Sequence, residues 1–213
     1  MMKTKIPFQY QVTEFSCIST TIINGLLYLF PREHLPDEVL AKIWQYSTDI
    51  ISGNLDKDCI LGVQVSAVEL IISCLNAYAK MRPKTFNIEC THYFNEKVHL
   101  KRGSKILKCR DENIAVLTSL CCDEDYSLSH AVLAIDCDDD WVYFFDPYFT
   151  LNEKRFPKEV IRVKNEQLED ERIKGQGWNL KIKRSYLDID DCKIYNFGPL
   201  HDRQCIMFEK VQS

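Results

Sequence analysis

The chain has no apolar run long enough to cross a bilayer. Its longest, Ile22 to Phe30, is broken by Asn24 and Gly25 and stops at Pro31, far short of the ~20 residues a membrane helix needs. It also lacks a basic excess: 27 Lys and Arg stand against 31 Asp and Glu, a net charge of −4. Nucleic acid normally demands a basic face, so no nucleic-acid partner is expected, and an anionic membrane surface gains no support either. Met1-Met2-Lys3-Thr4-Lys5 carries the basic residues of a signal peptide, but no apolar core follows it. A cytoplasmic protein without a membrane partner is the expectation. Glycine and proline, seven of each in 213 residues, are too scarce for low complexity, and no repeat or linker is visible.

Cysteine is plentiful but unpatterned. Ten occur, scattered singly apart from Cys121-Cys122, with no Cys-x-x-Cys pair. A disulfide framework belongs to short secreted chains, and a chain of this size buries enough surface to fold without one. Cys90-Thr91-His92 lacks a second half with metal-ligand spacing. Neither a metal nor a cofactor is expected, and most of these thiols read as small apolar core residues.

What is present divides by period. From Ile18 to Phe30 the apolar residues crowd one side of a helix that Pro31 ends. Ser16 is placed to cap it, with Cys17 in the first turn. Pro36-Asp37-Glu38 opens a second helix, with Val39, Leu40, Ile43 and Trp44 as its buried stripe. A third runs from about Ser66 to Ala79. Strands follow: alternation at Phe86, Ile88 and Cys90, then apolar runs at 114–120, 131–135 and 141–145. Asp136 to Asp140 reads as a hairpin turn, without the Gly and terminal Glu of a calcium loop. Asp146-Pro147 ends the last of these strands, since Pro cannot continue a ladder. Further alternation appears at 180–182 and 194–197, then a run at 205–208. Helices first and strands later predict an α+β fold, a helical layer packed on an antiparallel sheet. One domain is expected over 1–213, with 166–213 extending the sheet.

Four residues stand out together. Gln11 precedes Cys17 by six positions, and His130 precedes Asp146 by sixteen. A thiol attacks as its thiolate, which a helix N-terminus and a nearby imidazolium both favour. A tight turn between strands 131–135 and 141–145 would bring His130, before the first, close to Asp146, after the second. His130 is then the expected base, Asp146 its orienter, and the Gln11 amide a donor to a developing oxyanion. Each has a plainer reading: a buried thiol, a satisfied strand histidine, a turn cap before Pro147 and an uninvolved glutamine.

At these residues the chain resembles the C39-like branch of the papain-like cysteine peptidases. The resemblance begins at Ile6-Pro7-Phe8-Gln9-Tyr10-Gln11 and passes through Ser16-Cys17 into the first helix. It returns at Ser129-His130-Ala131-Val132 and at Trp141 to Pro147. It extends over roughly residues 5–165, with a helix start expected at Lys154-Arg155-Phe156. The resemblance implies a papain-like fold, Cys17 as nucleophile, His130 as base, Asp146 as orienter and Gln11 as oxyanion donor. Members often have Asp-Cys-Gly where this chain has Ser16-Cys17-Ile18, which puts a bulky side chain where substrate or backbone approaches closely. The Cys-Gly-Ser-Cys-Trp signature of classical papain relatives is absent. The expected activity is cleavage of a peptide or amide bond, with acyl transfer from an acyl donor and a non-catalytic binding module as the competing readings.

Overall fold

The structure is a computed structural model, and it describes residues 9–13, 16–48, 65–122, 129–148, 156–163 and 177–211. Helices lead the chain. Helix α1 (Cys17–Leu29) buries nearly its whole surface, α2 (Asp37–Thr48) begins with Asp37 and Glu38 in its first turn, and α3 is Val65–Met81. Among the described residues seven strands follow: β1 (Ile88–Phe94), β2 (Ile114–Cys121), β3 (Ser129–Cys137), β4 (Trp141–Phe145), β5 (Val160–Arg162), β6 (Leu180–Lys183) and β7 (Gln204–Lys210). A one-turn helix, α4 (Arg184–Leu187), follows β6.

The strands form one antiparallel sheet in the order β1-β7-β2-β3-β4-β6-β5, so the α+β expectation holds. Alternation divides each strand between two cores. Ala131, Leu133 and Ile135 of β3 join the apolar faces of α1, α2 and α3. Val132, Ala134 and Cys137 join Leu180, Ile182, Leu187 and Phe197 on the other side. Strand β2 is buried along its full length because both faces are covered. Residues 180–183 and 204–210 lie within this sheet, so the carboxy-terminal part of the chain completes it.

Helix α1 sits close on the sheet. A Cβ built at Gly25 would stand 3.3 Å from the Phe208 ring and 3.4 Å from Leu133, so the small residue sets that approach. The neighbouring Asn24, fully buried, acts differently: its Oδ1 accepts from Gln9 N–H at 2.7 Å and its Nδ2 donates to Gln9 C=O at 2.9 Å. This mimics a strand partner and lashes the segment carrying Gln11 to α1.

Several expectations are corrected. Ser16 occupies the N-cap position of α1 but makes no side-chain cap. Its hydroxyl instead donates to Thr13 C=O at 2.9 Å and accepts from Thr13 N–H at 3.2 Å. Trp44, placed in the buried stripe of α2, is 38% exposed, while Val39 and Ile43 carry the burial. Residues 194–197 form no strand: Tyr195 adopts φ 64°, and a two-way pairing with Cys121 holds this segment (Tyr195 N–H to Cys121 C=O 2.7 Å, Cys121 N–H to Asn196 C=O 2.8 Å). The Lys154-Arg155 helix start lies outside the described residues. The strand β5, which begins at Val160, was not anticipated. The 138–140 turn is as expected, with Asp138 Oδ1 accepting from Asp140 N–H and Trp141 N–H at 2.9 and 2.7 Å.

Replacing Asn24 by Ala removes two hydrogen bonds and the volume of a fully buried side chain. Urea denaturation is expected to show a loss of ~1–3 kcal/mol, and an unchanged midpoint would mean that the 9–11 segment is held elsewhere.

Candidate active site

The sheet opens where β4 stops. In an antiparallel pair both backbone groups of one residue point to the same side. The β3–β4 register runs Leu133↔Phe145 and ends there, because Asp146-Pro147 leaves the ladder. Ala131, two residues further along β3, therefore has no strand partner on that side. The first turns of α1 take its place: the Thr21 hydroxyl, which donates to Cys17 C=O at 2.7 Å, shares its proton with Ala131 C=O at 3.2 Å, and the Ala131 N–H bonds the Cys17 sulfur. The same opening leaves His130, one residue before, alongside both Cys17 and residues 146–148.

His130 bridges the two other groups. Its Nε2 bonds Asp146 Oδ1 at 2.7 Å, which leaves Nδ1 for the hydrogen bond to the Cys17 thiol. All three residues are buried, at 4% exposure for Cys17, 7% for His130 and 0% for Asp146. The Tyr148 ring meets the imidazole edge-on, with centroids 6.0 Å apart.

The electrostatics follow from this chain of contacts. Burial alone would push the Cys17 thiol up. The hydrogen bond and charge of His130, with the backbone N–H groups of Ala131 and Ile18, outweigh it and hold the thiol below its ordinary value. Because Ser16 turns away from its cap, the Ile18 N–H at the helix start is left to the sulfur, where the helix dipole also favours an anion. Burial would likewise push the His130 imidazole down, but the Asp146 carboxylate and the Cys17 sulfur raise it to about 10. Asp146 is held below the usual carboxylate range against the effect of burial, by His130 first and by Arg162 and the Tyr148 N–H after it. The same contact thus shifts the thiol toward thiolate and the imidazole toward imidazolium.

Asp146 is the most heavily fastened residue of the site. Oδ1 accepts from His130 and from Tyr148 N–H at 2.8 Å; Oδ2 accepts from Arg162 Nη1 at 2.8 Å and from the Tyr195 hydroxyl at 3.1 Å. Its backbone is pinned by Asn179, whose Oδ1 accepts from Asp146 N–H at 2.7 Å and whose Nδ2 donates to Asp146 C=O at 2.8 Å. Three of these partners, Arg162, Asn179 and Tyr195, come from beyond residue 160 and were missed in the sequence. No motif marks them; each is a single polar residue in an otherwise ordinary stretch.

Gln11 is brought to the same end of the sheet. Its N–H donates to Pro147 C=O at 2.9 Å, next to Asp146. Its side-chain Nε2 donates to Thr13 C=O at 3.2 Å, and its buried Oε1 has no hydrogen-bond partner. An amide carries two N–H bonds, so one remains for another acceptor. Ile18, expected where substrate approaches, turns its side chain away: it is fully buried in the core between α1 and the sheet.

Reactivity toward iodoacetamide, mapped thiol by thiol, checks the electrostatics. Cys17 is expected to react with a pH midpoint well below the ~8.5 of a free thiol, and His130→Ala to return that midpoint to the ordinary range or above it. Cys137 is the internal comparison, because a hydrogen bond from Cys109 and the Arg110 cation bring its thiol down to about 7 despite burial. Among family models, curated proteins and solved structures, none matches this chain.

Proposed function

We propose that this chain is a thiol hydrolase of the C39-like, papain-like type, cleaving a peptide or amide bond through an acyl-thioester on Cys17. The observation that supports it is the single buried line Cys17–His130–Asp146, in which Asp146 first and the Cys17 sulfur after it hold the imidazole high, and His130 holds the thiol low. A structural histidine needs no thiolate, and a core thiol is pushed up by burial, as Cys90 and Cys205 are. Cys17 departs from them in the direction a nucleophile requires.

The chemistry follows from the geometry. The Cys17 thiolate adds to the substrate carbonyl and forms a tetrahedral oxyanion. In the proposed scheme the Cys17 N–H and the second N–H of the Gln11 amide donate to that oxygen, and one such donor is worth ~10²–10³ in rate. The protonated Nδ1 of His130 gives its proton to the leaving amine as the C–N bond breaks, leaving a thioester. Neutral His130 then takes a proton from water as it attacks, the thioester breaks, and the ion pair is restored. Asp146 bonds Nε2–H throughout and fixes the tautomer that the transfer needs.

Turnover of a peptide and amide substrate panel tests this. Cys17→Ala and His130→Ala are expected to abolish hydrolysis, and Asp146→Asn to weaken it by on the order of 10²–10⁴, since orientation is lost before the nucleophile is. Activity is expected to fall as pH rises through about 10, where the imidazolium that protonates the leaving group is lost. A Cys17→Ala protein as active as the parent sinks the proposal.

A further inference from the structure

The site contains a fourth charged residue that the triad does not use. Arg162 lies on β5, at the outer edge of the sheet, with β6 between it and β4. Its side chain is 13% exposed and nevertheless reaches Asp146 Oδ2 at 2.8 Å and the Tyr195 hydroxyl at 3.1 Å through the same Nη1, while Nη2 bonds the Tyr148 carbonyl. Tyr195 in turn donates to Asp146 Oδ2 at 3.1 Å. One carboxylate oxygen thus faces the imidazole and the other faces the guanidinium.

Charge counting shows what this achieves. A thiolate, an imidazolium and a carboxylate in a buried cluster sum to −1, and an uncompensated buried charge is strongly unfavourable. Such a cluster relieves itself by taking up a proton, and the thiolate is the group whose protonation ends its reactivity. With Arg162 the cluster holds two anions and two cations and is neutral. The guanidinium is always protonated, so this positive charge does not depend on pH.

We propose that Arg162 is a positioning residue for the Cys17 site: acting through Asp146, its fixed positive charge balances the thiolate form of the buried cluster, and its Nη1 on Asp146 Oδ2 together with its Nη2 on the Tyr148 carbonyl holds the carboxylate toward His130. This rests on the hydrolase reading above. The sign of its removal is unambiguous, because taking away a positive charge makes every neighbouring acid and base hold its proton more tightly. The other titratable groups facing Asp146 and Arg162 are Tyr10 from the amino-terminal segment and Tyr195, with Cys122 beside it. Tyr195 is pushed well above its ordinary value, first by burial and then by Asp146, and Tyr10 is raised by burial too. Neither tyrosine supplies a charge that could replace the guanidinium.

The test is the pH profile of Cys17 alkylation, mapped by mass spectrometry in full-length parent, Arg162→Met, Arg162→Gln and Arg162→Lys proteins with parent-like far-UV spectra. One full charge acting at an effective dielectric of ~20 shifts a nearby group by roughly one pH unit. Both neutral variants are expected to raise the Cys17 midpoint by about that much, while the plateau rate at high pH stays within about twofold. Arg162→Lys, which keeps the charge and loses the fork, is expected to stay near the parent midpoint. Either neutral variant suffices if the other does not fold. Midpoints unchanged in the neutral variants, or shifted equally in Lys and Gln, overturn the assignment of charge balance to Arg162 and leave the hydrolase reading standing. A parent whose Cys17 titrates as an ordinary thiol overturns both.

Discussion

The carboxylate of Asp146 is the constraint around which the rest is arranged. It is fully buried and ionised, a state that the protein interior tolerates only where every lone pair is met. Four donors meet them, from four separate segments: His130, the Tyr148 backbone, Arg162 and Tyr195. Two of these donors are charged, and such hydrogen bonds are roughly twice as strong as neutral ones. Each segment is therefore fixed relative to the others by its claim on one group, and the His130 ring is aimed as a consequence.

The fold supplies that convergence by opening the sheet at one place. Pro147 stops β4, which frees the Ala131 backbone, and α1 brings Thr21 and Cys17 to the freed groups. The close seat of α1 at Gly25 and its tie to Gln9 through Asn24 set how far its first turn reaches. On the far side, Arg203 anchors the loop that carries Tyr195. It is 1% exposed, donates to Gly198 C=O at 2.8 Å and to Ile189 C=O at 2.9 Å, and pairs with Asp188 at 2.6 Å. The left-handed φ of Tyr195, an uncommon conformation for a bulky residue, is held by the pairing of that loop with Cys121.

Burial pushes the thiols up, and their surroundings decide the outcome. Cys90, Cys121 and Cys205 sit in apolar or thiol-lined surroundings, and burial pushes each of them up. Cys17 is as deeply buried as these but faces an imidazolium and two N–H donors, and it moves down. Environment rather than depth separates a core thiol from a candidate nucleophile, and spacing in the chain cannot report environment.

The helix periods, the strand runs at 114–120, 131–135 and 141–145 and the hairpin turn were legible because each depends on local alternation and on a nearby Pro, Asp or Gly. The pairing of His130 with Asp146 was legible for the same reason, since two strands joined by a tight turn must be neighbours. Ser16 misled because capping and a bond back to Thr13 use the same hydroxyl, and the sequence does not say which geometry the loop permits. Arg162, Asn179 and Tyr195 were invisible because their roles depend on β6 and β5 lying beyond β4, and strand order is set by packing over the whole sheet. The sequence by itself determined that a thiol, an imidazole and a carboxylate stand at spacings that let them meet, because those are properties of side-chain chemistry and local order. Tertiary structure alone decided that the Asp146 carboxylate stays charged and that Ile18 turns into the core, because both depend on what surrounds a residue in space.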